Sequence, residues 1–111
     1  MIGGNVNLEL QAKELAENEI GESVELWTTV QTLLGWLDYQ SGDSPRTNFN
    51  AKLQQSTHFF IGDYVPIREG LTAENTRAIV NGEVYEVLII DNPMNMNRQI
   101  EIYLKYTGGQ V

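Results

Sequence analysis

The sequence predicts a mainly β protein: a small antiparallel β-barrel or sandwich of five to six strands with at most one short helix. Polar and apolar residues alternate with a period of two, which is typical of strands that bury one face. The dipeptide Asn81-Gly82 separates two apolar runs, and it supplies both positive φ angles of a type I′ hairpin turn. The alternating segments are 5–13, 23–36, 83–90 and 99–106.

The first two of these segments are expected to form a long antiparallel hairpin. Asn5–Lys13 alternates strictly, and the acidic stretch Glu14–Glu22 contains Asn18 and Gly21, which favour a turn or a short loop. Ser23–Trp36 then resumes the alternation. Its even-numbered residues are expected to form one apolar face, which comprises Val24, Leu26, Thr28, Val30, Thr32, Leu34 and Trp36.

The middle of the chain is expected to contain two loops and one strand. Asp38–Asn48 is rich in turn-forming residues, and the segment near 48–56 is the one place where a short helix is expected. Thr57–Ile61 is strand-like. Pro66 cannot donate a hydrogen bond to a sheet, so the residues around it are expected at an edge or a bend. A second polar loop follows at Glu69–Arg77.

The C-terminal third is expected to be a hairpin followed by one more strand. Ala78–Val80 and Glu83–Ile90 flank the Asn-Gly turn, and the end of the second run is apolar on both faces, as in a central strand. Asp91-Asn92-Pro93 ends this strand. A third loop is expected at 94–98, and the last strand follows it.

Length and composition favour one domain without covalent cross-links. The chain has 111 residues, of which 41% are hydrophobic, and it contains no cysteine, which excludes disulfides and thiolate metal sites. We expect a single domain over residues 1–111, with flexible ends at about 1–4 and 107–111. No apolar run reaches the ~20 residues of a membrane helix, so no membrane contact is expected.

The charge distribution argues against nucleic-acid binding. Fifteen acidic and seven basic residues give a net charge of −8, and residues 1–25 hold six glutamates against Lys13 alone. Proteins that grip phosphates concentrate lysine and arginine on one surface, whereas the bases of this chain are scattered. We therefore expect neither tight DNA or RNA binding nor attraction to anionic membranes.

The sequence shows no constellation of residues that would carry out a reaction. His58 is the only histidine, and its place beside Phe59 in a strand favours a structural role. There is no cysteine nucleophile, no Walker loop and no GxGxxG motif, so we expect no catalytic residue, no metal site and no cofactor. A β scaffold with conspicuous loops at 38–48, 69–77 and 91–98 is typical of a binding or assembly protein.

Several residue strings resemble one family of virion proteins. The strings are NEIGE at 18–22, Trp27, GWLDYQSGDS at 35–44, STHFFIGDY at 56–64, NGEVYEVLIIDNPM at 81–94 and EIYLKYTGGQ at 101–110. Together they resemble the head-closure proteins (head–tail joining proteins, or stoppers) of tailed phages, in the form found in phages and prophages of Gram-positive bacteria. One departure is that Gly62-Asp63 follows the central strand where many members have an arginine, and Arg68 comes later.

This resemblance implies a structural protein of the head–tail connector. Such a protein forms a homo-oligomeric ring in the virion, below the portal and its adaptor, and the isolated chain need not oligomerise. The ring closes the DNA channel after packaging and offers the docking surface for a tail-completion or tail-terminator protein. Double-stranded DNA passes through it without tight binding. The implied location is the head–tail interface of the virion, reached from the host bacterial cytoplasm during assembly.

The resemblance also assigns candidate residues. The candidate channel-closing loop comprises Asp38, Tyr39, Gln40, Ser41, Gly42, Asp43, Ser44, Pro45, Arg46 and Thr47. Trp36 and Tyr39 are the candidate anchors of this loop. The candidate assembly-contact residues, from the other two loops, are Glu69, Glu74, Arg77, Met94, Met96 and Arg98.

Two alternatives remain open at this point. One is another neck or tail-completion protein of the same assembly, which the sequence separates poorly from a head-closure protein. The other is a small β-barrel binding module of the OB type, which would need a basic groove with exposed aromatic residues.

Overall fold

Six antiparallel strands make up most of residues 2–39 and 57–110, the parts of the chain that the computed structural model describes. The strands are β1 (Val6–Glu17), β2 (Ser23–Tyr39), β3 (His58–Asp63), β4 (Thr76–Val80), β5 (Glu83–Asp91) and β6 (Gln99–Gln110). Short 3-10 turns at Ala73–Asn75 and Pro93–Asn95 lie in two of the connections. Asn81 and Gly82 both have positive φ, as the predicted type I′ turn requires.

The strands close into a barrel built from two three-stranded meanders. Strands β1-β2-β3 form one meander and β4-β5-β6 form the other, and the pairs β1–β4 and β3–β6 join them. Every pair is antiparallel, and the order around the barrel is β1-β2-β3-β6-β5-β4. The mainly β prediction is therefore confirmed, and the barrel is the correct one of its two architectures.

The core fills the inside of this barrel. Its central side chains come from strands that lie on opposite sides: Leu8 and Leu10 from β1, Phe60 from β3, and Ile102 and Leu104 from β6. All five are fully buried. Burying a side chain of this size contributes about 1.5–3 kcal/mol to the free energy of unfolding, so the packed interior is the main source of stability.

The connection between β3 and β4 covers one end of the core. Its apolar residues Tyr64, Ile67 and Leu71 pack against the buried cluster. The amide side chain of Gln31 holds this connection in place, because its Nε2 donates to the Pro66 carbonyl at 2.9 Å and its Oε1 accepts from the Arg68 amide at 3.0 Å. A side chain thus provides the pair of hydrogen bonds that a neighbouring strand would otherwise make.

A β-bulge in β2 overturns the prediction that its even-numbered residues share one face. Leu10 pairs with Gln31 but Gln11 pairs with Thr29, so Val30 is an extra residue in β2. Because side chains alternate with a period of two, one extra residue exchanges the two faces. After the bulge the odd-numbered Leu33 is buried in the barrel, whereas the even-numbered residues Leu34 and Trp36 are exposed.

Glycines permit an unusually close approach where β1, β2 and β3 meet. Gly35 of β2 pairs with Gly62 of β3. A Cβ atom at Gly35 would lie 2.5 Å from Cζ of Phe60 and would also overlap the Ile61 carbonyl oxygen. A Cβ at Gly62 would lie 2.6 Å from the Leu34 carbonyl oxygen. The two strands therefore fit the core only because both positions lack a side chain.

The segment before β1 is fixed to the same region by hydrogen bonds. The Asp63 carboxylate accepts from the amides of Ile2 at 2.6 Å and Gly3 at 3.2 Å, and these bonds lower the pKa of Asp63. The Trp36 indole donates to the Ile2 carbonyl at 3.1 Å. Residues 2 and 3 are thus hydrogen-bonded to side chains of β2 and β3.

Several strands are longer than the sequence predicts. β1 reaches Glu17, so the predicted loop 14–22 shrinks to a turn in which the Asn18 side chain accepts from the amides of Ile20 and Glu22. β4 begins at Thr76, which places the candidate residue Arg77 in a strand and not in a loop. β6 continues to Gln110, four residues beyond the predicted strand 99–106.

The predicted loop at 38–48 also needs correction at its start. β2 continues to Tyr39 because Asp38 and Tyr39 pair with Phe59 and His58 of β3. The remaining candidates of the channel-closing loop, Gln40–Thr47, and the predicted short helix near 48–56 lie outside the described residues.

Replacing Gly35 with alanine should lower the free energy of unfolding by roughly 1–3 kcal/mol, because the added methyl group overlaps the Phe60 ring and a backbone carbonyl. Urea denaturation measures the change. Thr32→Ala, at an exposed position of the same strand, is the matched control and should stay within about 0.5 kcal/mol of the parent. An equally small effect of Gly35→Ala would contradict this description of the β2–β3 contact.

Acidification should release the segment around Ile2 and Gly3. The folded chain binds the Asp63 proton more weakly than the unfolded chain does, so this stabilisation is present above the ordinary pKa of 3.8 and is lost as the pH falls below it. NMR chemical shifts of the Ile2 and Gly3 amides, followed against pH, should report the release. In Asp63→Asn, these two amides should exchange faster than in the parent already at pH 7, and Asp91→Asn, at an exposed position, is the control. Unchanged exchange in Asp63→Asn would show that the carboxylate does not hold this segment.

Candidate functional site

The barrel has two ends with different character. At the first end, β2 ends, β3 and β5 begin, and β6 approaches its last residues. We call it the aromatic end. At the second, β1 turns into β2, the 64–75 connection crosses the core, and the 92–98 connection joins β5 to β6; we call it the arm end. The segment 40–56 leaves β2 and returns to β3 at the aromatic end.

Four rings gather at the aromatic end. His58 lies at their centre, with ring centroids 5.7 Å from Tyr39, 5.1 Å from Tyr85 and 6.2 Å from Tyr106. Tyr85 and Tyr106 are themselves 5.4 Å apart. These residues are neighbours because the register pairs Tyr39 with His58 and Tyr85 with Tyr106. Four strands thus contribute one ring each, and edge-to-face contacts of this kind add about 0.5–1.5 kcal/mol per pair beyond the area that they bury.

The electrostatics of this cluster favour a neutral imidazole. Burial lowers the pKa of His58, and the nearby Glu83 carboxylate opposes the effect in part. Burial raises the pKa of Tyr85, and the Glu83 charge raises the pKa of Tyr106. The Nδ1 atom of His58 lies 2.9 Å from the Thr57 hydroxyl, which also accepts from the Tyr106 amide at 2.7 Å. The four rings are therefore uncharged at neutral pH, and two of them, Tyr39 and His58, lie on the paired ends of β2 and β3.

The hairpin β1–β2 extends beyond the barrel at the other end. Residues 13–17 of β1 and 23–27 of β2 pair only with each other among the described residues. We call this extension, residues 13–27, the arm. It carries exposed Leu15, Ile20 and Leu26 among glutamates, and the described part of the chain has one ion pair, Lys13 with Glu25 at 3.7 Å.

The 92–98 connection is a rigid projection beside the core. Met94, Asn95 and Asn97 all have φ near +54°, a conformation that costs free energy for residues other than glycine. Asn92 holds the loop, because its Nδ2 donates to Oδ1 of Asn97 at 2.7 Å and its Oδ1 accepts from the Asn97 amide at 3.1 Å. The strained loop holds Met94 and Met96 exposed to solvent.

A groove of about 380 Å³ lies between this loop and the connection that crosses the core. Tyr64, Ile67 and Leu71 line one wall, and Ile90 and Ile100 line the other. Arg68, Glu69 and Asn92 stand at its rim. We call this surface the arm-end groove, and it is open to solvent and presents about as much polar as apolar surface.

The structure separates the candidate residues of the two predicted roles. Asp38 and Tyr39 lie at the aromatic end, where Tyr39 contacts His58. The Trp36 indole donates to the Ile2 carbonyl, and most of the loop that Trp36 is predicted to anchor lies outside the described residues. The assembly-contact candidates on the two connections of the arm end are Glu69, Glu74, Met94, Met96 and Arg98.

Arg77, the remaining assembly-contact candidate, is committed to contacts within the barrel. Its guanidinium lies 4.5 Å from the centre of the Trp27 ring, and its Nε donates to Oε1 of Gln11 at 2.8 Å. This arginine therefore packs at the root of the arm.

Sequence reasoning missed the aromatic cluster and the Gln31 contact. His58 was expected to be structural, and nothing in the sequence linked it to Tyr85 and Tyr106, which lie 27 and 48 positions away. The available signal was that Tyr85 lies near the start of one predicted strand and Tyr106 at the end of another. Using this signal required knowledge of how the two strands are aligned. Gln31 gave no signal, because its partners are backbone atoms of a connection.

Within residues 2–39 and 57–110, no group of three or more metal-ligating side chains comes together. In the same ranges no helix has the length and apolarity that crossing a bilayer requires.

Titration of the His58 ring should show the effect of its burial. We expect an NMR midpoint below 6.5, and a still lower midpoint in Glu83→Gln, since the carboxylate favours the charged ring. The free energy of unfolding should decrease as the pH falls below about 6.5, because the folded chain binds this proton more weakly than the unfolded chain. Glu86→Gln, at an exposed position of β5, is the control and should leave the midpoint unchanged. A midpoint at or above 6.5 would contradict the buried position of the ring.

No protein-family model matches the chain. No curated protein sequence matches it either. Solved structures do share its fold. The solution structure of protein SF1141 from Shigella flexneri 2a is similar with a TM-score of 0.70 and 17% sequence identity, over 99% of this chain and 98% of that chain.

A chain in the virion of the native gene transfer agent (GTA) particle is also similar. Its TM-score is 0.56 at 12% identity, over 90% of this chain and 91% of that chain. At identities this low the likeness establishes the fold alone, and it extends over nearly the whole barrel in both cases.

Proposed function

We propose that this chain is a structural protein of a tailed-phage head–tail connector, where it forms a ring below the portal and adaptor. The observation that carries the proposal is the likeness of its fold to a chain of the gene transfer agent virion, over nine-tenths of both chains. The resemblance of its residue strings to head-closure proteins supports the finer assignment. In this role the ring closes the DNA channel after packaging and offers the surface on which the tail docks.

The charge of the chain supports passage of DNA without retention. A protein that holds DNA releases counterions by placing lysine and arginine against phosphates. This chain has a net charge of −8, and its arm alone has five glutamates against one lysine. An acidic ring repels the phosphate backbone, so DNA can move through it during packaging without being held.

The two ends of the barrel support contacts with different neighbours. A connector protein must meet one partner toward the head and another toward the tail. Here the segment 40–56, which contains most of the candidate channel-closing loop, is attached at the aromatic end, and the assembly-contact candidates on connections lie at the arm end. We assign channel closure to the first end and subunit or tail contacts to the second.

The binding-module alternative receives less support. The barrel has six strands with every pair antiparallel and is closed, whereas an OB-fold is a five-stranded, partly open barrel. The exposed ring of Tyr39 contacts His58, and the charged group that acts on His58 is the Glu83 carboxylate, whereas such a module would need lysine or arginine beside its aromatic rings. A tail-completion role in the same assembly differs from channel closure in the phenotype that loss of the gene would cause.

The test is deletion of the gene from the phage or prophage that encodes it, with the wild-type gene supplied in trans as the control. We expect heads that package DNA but then lose it, together with unattached complete tails, because the channel stays open and the docking surface is missing. Electron cryomicroscopy of complemented particles should place the chain in a ring at the neck.

Two results would overturn the proposal in different ways. Tailless heads that retain their DNA without the chain would assign it to tail completion in place of channel closure. Absence of the chain from purified particles would remove it from the virion altogether.

A further inference from the structure

We propose that the mouth of the barrel at the aromatic end binds an arginine side chain of another protein. The site consists of the exposed rings of Tyr39 and Tyr106, the ring of His58 that contacts both of them, and the carboxylate of Glu83. The proposed function names the neighbours of the chain, and this contact adds the chemical group that one of them presents to it.

The four rings of the aromatic cluster form the outermost layer of the barrel interior. Residues two apart in a strand lie on the same face of the sheet. Each ring is two residues from a side chain of the core cluster: Tyr39 from Leu37, His58 from Phe60, Tyr85 from Val87 and Tyr106 from Leu104. Glu83 lies on the same face, because it precedes Tyr85 by two residues and pairs with the buried Val80. The rings and the carboxylate therefore surround the opening of the barrel, where ligand sites commonly lie.

Two of these rings are exposed at the opening. Tyr85 is buried and belongs to the core, whereas Tyr39 and Tyr106 expose 76% and 39% of their surface. A tyrosine that is three-quarters exposed buries little area, so packing of the core does not require an aromatic residue at position 39. The face of an aromatic ring carries a negative partial charge and attracts a cation within about 6 Å of its centre. The exposed rings are therefore suited to a cationic group that arrives from outside.

The charge at the mouth is negative. The Glu83 carboxylate lies close enough to His58, Tyr85 and Tyr106 to act on all three electrostatically, and it accepts a hydrogen bond from the Tyr106 hydroxyl. A carboxylate has two oxygens and can accept further bonds. Within the described ranges, no lysine or arginine forms an ion pair with Glu83. Lys105 follows Leu104 in β6, so its side chain points to the outer face, where Glu86 is its partner in the register.

Arginine fits this combination of groups better than lysine does. Its planar guanidinium stacks on an aromatic ring and at the same time donates hydrogen bonds in its plane to a carboxylate, whereas an ammonium group is a point charge. The same barrel already contains a contact of this kind, because the Arg77 guanidinium lies 4.5 Å from the centre of the Trp27 ring while its Nε donates to Oε1 of Gln11 at 2.8 Å.

The arginines of the described residues are not placed to fill the mouth. Arg77 is held by Trp27 and Gln11, and Arg68 and Arg98 belong to the two connections of the arm end. Arg46, the remaining arginine, lies outside the described residues, and the experiment includes its variant. The mouth thus presents rings and a carboxylate to which the described part of the chain supplies no cation, and we assign the cation to another protein.

NMR titration of the isolated chain with an arginine peptide tests the site directly. Acetyl-Gly-Arg-Gly-amide should shift the ring signals of Tyr39, Tyr106 and His58 and should saturate with a Kd on the order of 1–10 mM, because it supplies a single side chain of the contact. Acetyl-Gly-citrulline-Gly-amide has the same shape without the charge and should give no saturating shift. Added salt should weaken the binding of the arginine peptide, since the carboxylate is exposed to screening.

Variants of the carboxylate and of one ring test the two parts of the site separately. Glu83→Gln should raise the Kd about fivefold, because the amide cannot form a charged pair with the guanidinium. Glu86→Gln, at an exposed position of β5 on the outer face, removes the same net charge and should leave the Kd unchanged. Tyr39→Leu should raise the Kd about two- to threefold, whereas Tyr39→Phe, which keeps the ring, should match the parent. Thermal melts of all variants check that the barrel is intact.

Four results would overturn the contact with another protein. Equal binding of the citrulline peptide, or equal Kd values for Glu83→Gln and Glu86→Gln, would show that the mouth does not select a cation. Tighter binding of free arginine than of the peptide would assign the mouth to a small molecule. Self-association that Glu83→Gln abolishes, measured by sedimentation velocity, would assign it to a second copy of the chain. Peptide binding that occurs only in Arg46→Gln would assign it to the chain's own arginine.

These measurements are independent of the proposed function, because they use the isolated chain. Failure of the arginine peptide to bind would overturn the contact and leave the connector function in place. Absence of the chain from purified particles, together with selective binding of the peptide, would retain the contact and overturn the connector function.

Discussion

Closure of the two meanders by the pairs β1–β4 and β3–β6 is the constraint on which the rest of the structure depends. Because both closing pairs are antiparallel, the chain after β3 must cross the whole barrel before β4 can begin beside β1. The connection 64–75 makes this crossing, and its apolar residues cover the core at that end. The same topology places the end of β2 and the start of β3 at the opposite end. One pairing rule thus creates two ends that differ in shape, composition and neighbours.

The sequence was sufficient to predict where the strands lie in the chain. It was insufficient to predict the features that depend on how neighbouring strands are aligned with one another. Period-two alternation located four of the six strands, since it reflects the local requirement that one face be buried, and the Asn-Gly turn and the strand-like run 57–61 indicated the other two. The extra residue Val30 could not be seen, because a bulge is defined only against the partner strand. Tyr39 was assigned to a loop for a similar reason: Ser41, Asp43 and Pro45 signal a turn nearby, whereas pairing with His58 extends the strand.

The sequence predicted the loops of the candidate site but not which of them lie together in the fold. The loops after β3 and β5 were singled out from their composition, and both lie at the arm end. Their common location, and the gathering of His58 with three tyrosines at the far end, follow from contacts between residues that are distant in sequence. Composition does not contain such information. The charge of the arm is the one feature of the site that composition did predict. The excess of glutamate in the first quarter of the chain is visible in the sequence, and in the structure most of these glutamates lie on the arm.

The pair Ala12–Thr28 also separates two parts of one hairpin that can change independently. Between Leu8 and Ala12 the hairpin is part of the barrel, and its length is set by the other strands. Beyond Ala12 and Thr28 the hairpin pairs only with itself among the described residues, so adding two residues to each strand near the tip would lengthen the arm by about 7 Å without altering any strand pairing of the barrel. A single added residue would instead exchange its faces. Insertions and deletions in this hairpin should therefore occur in multiples of two during evolution, which lets the reach of the arm adapt to neighbours of different size while the barrel stays constant.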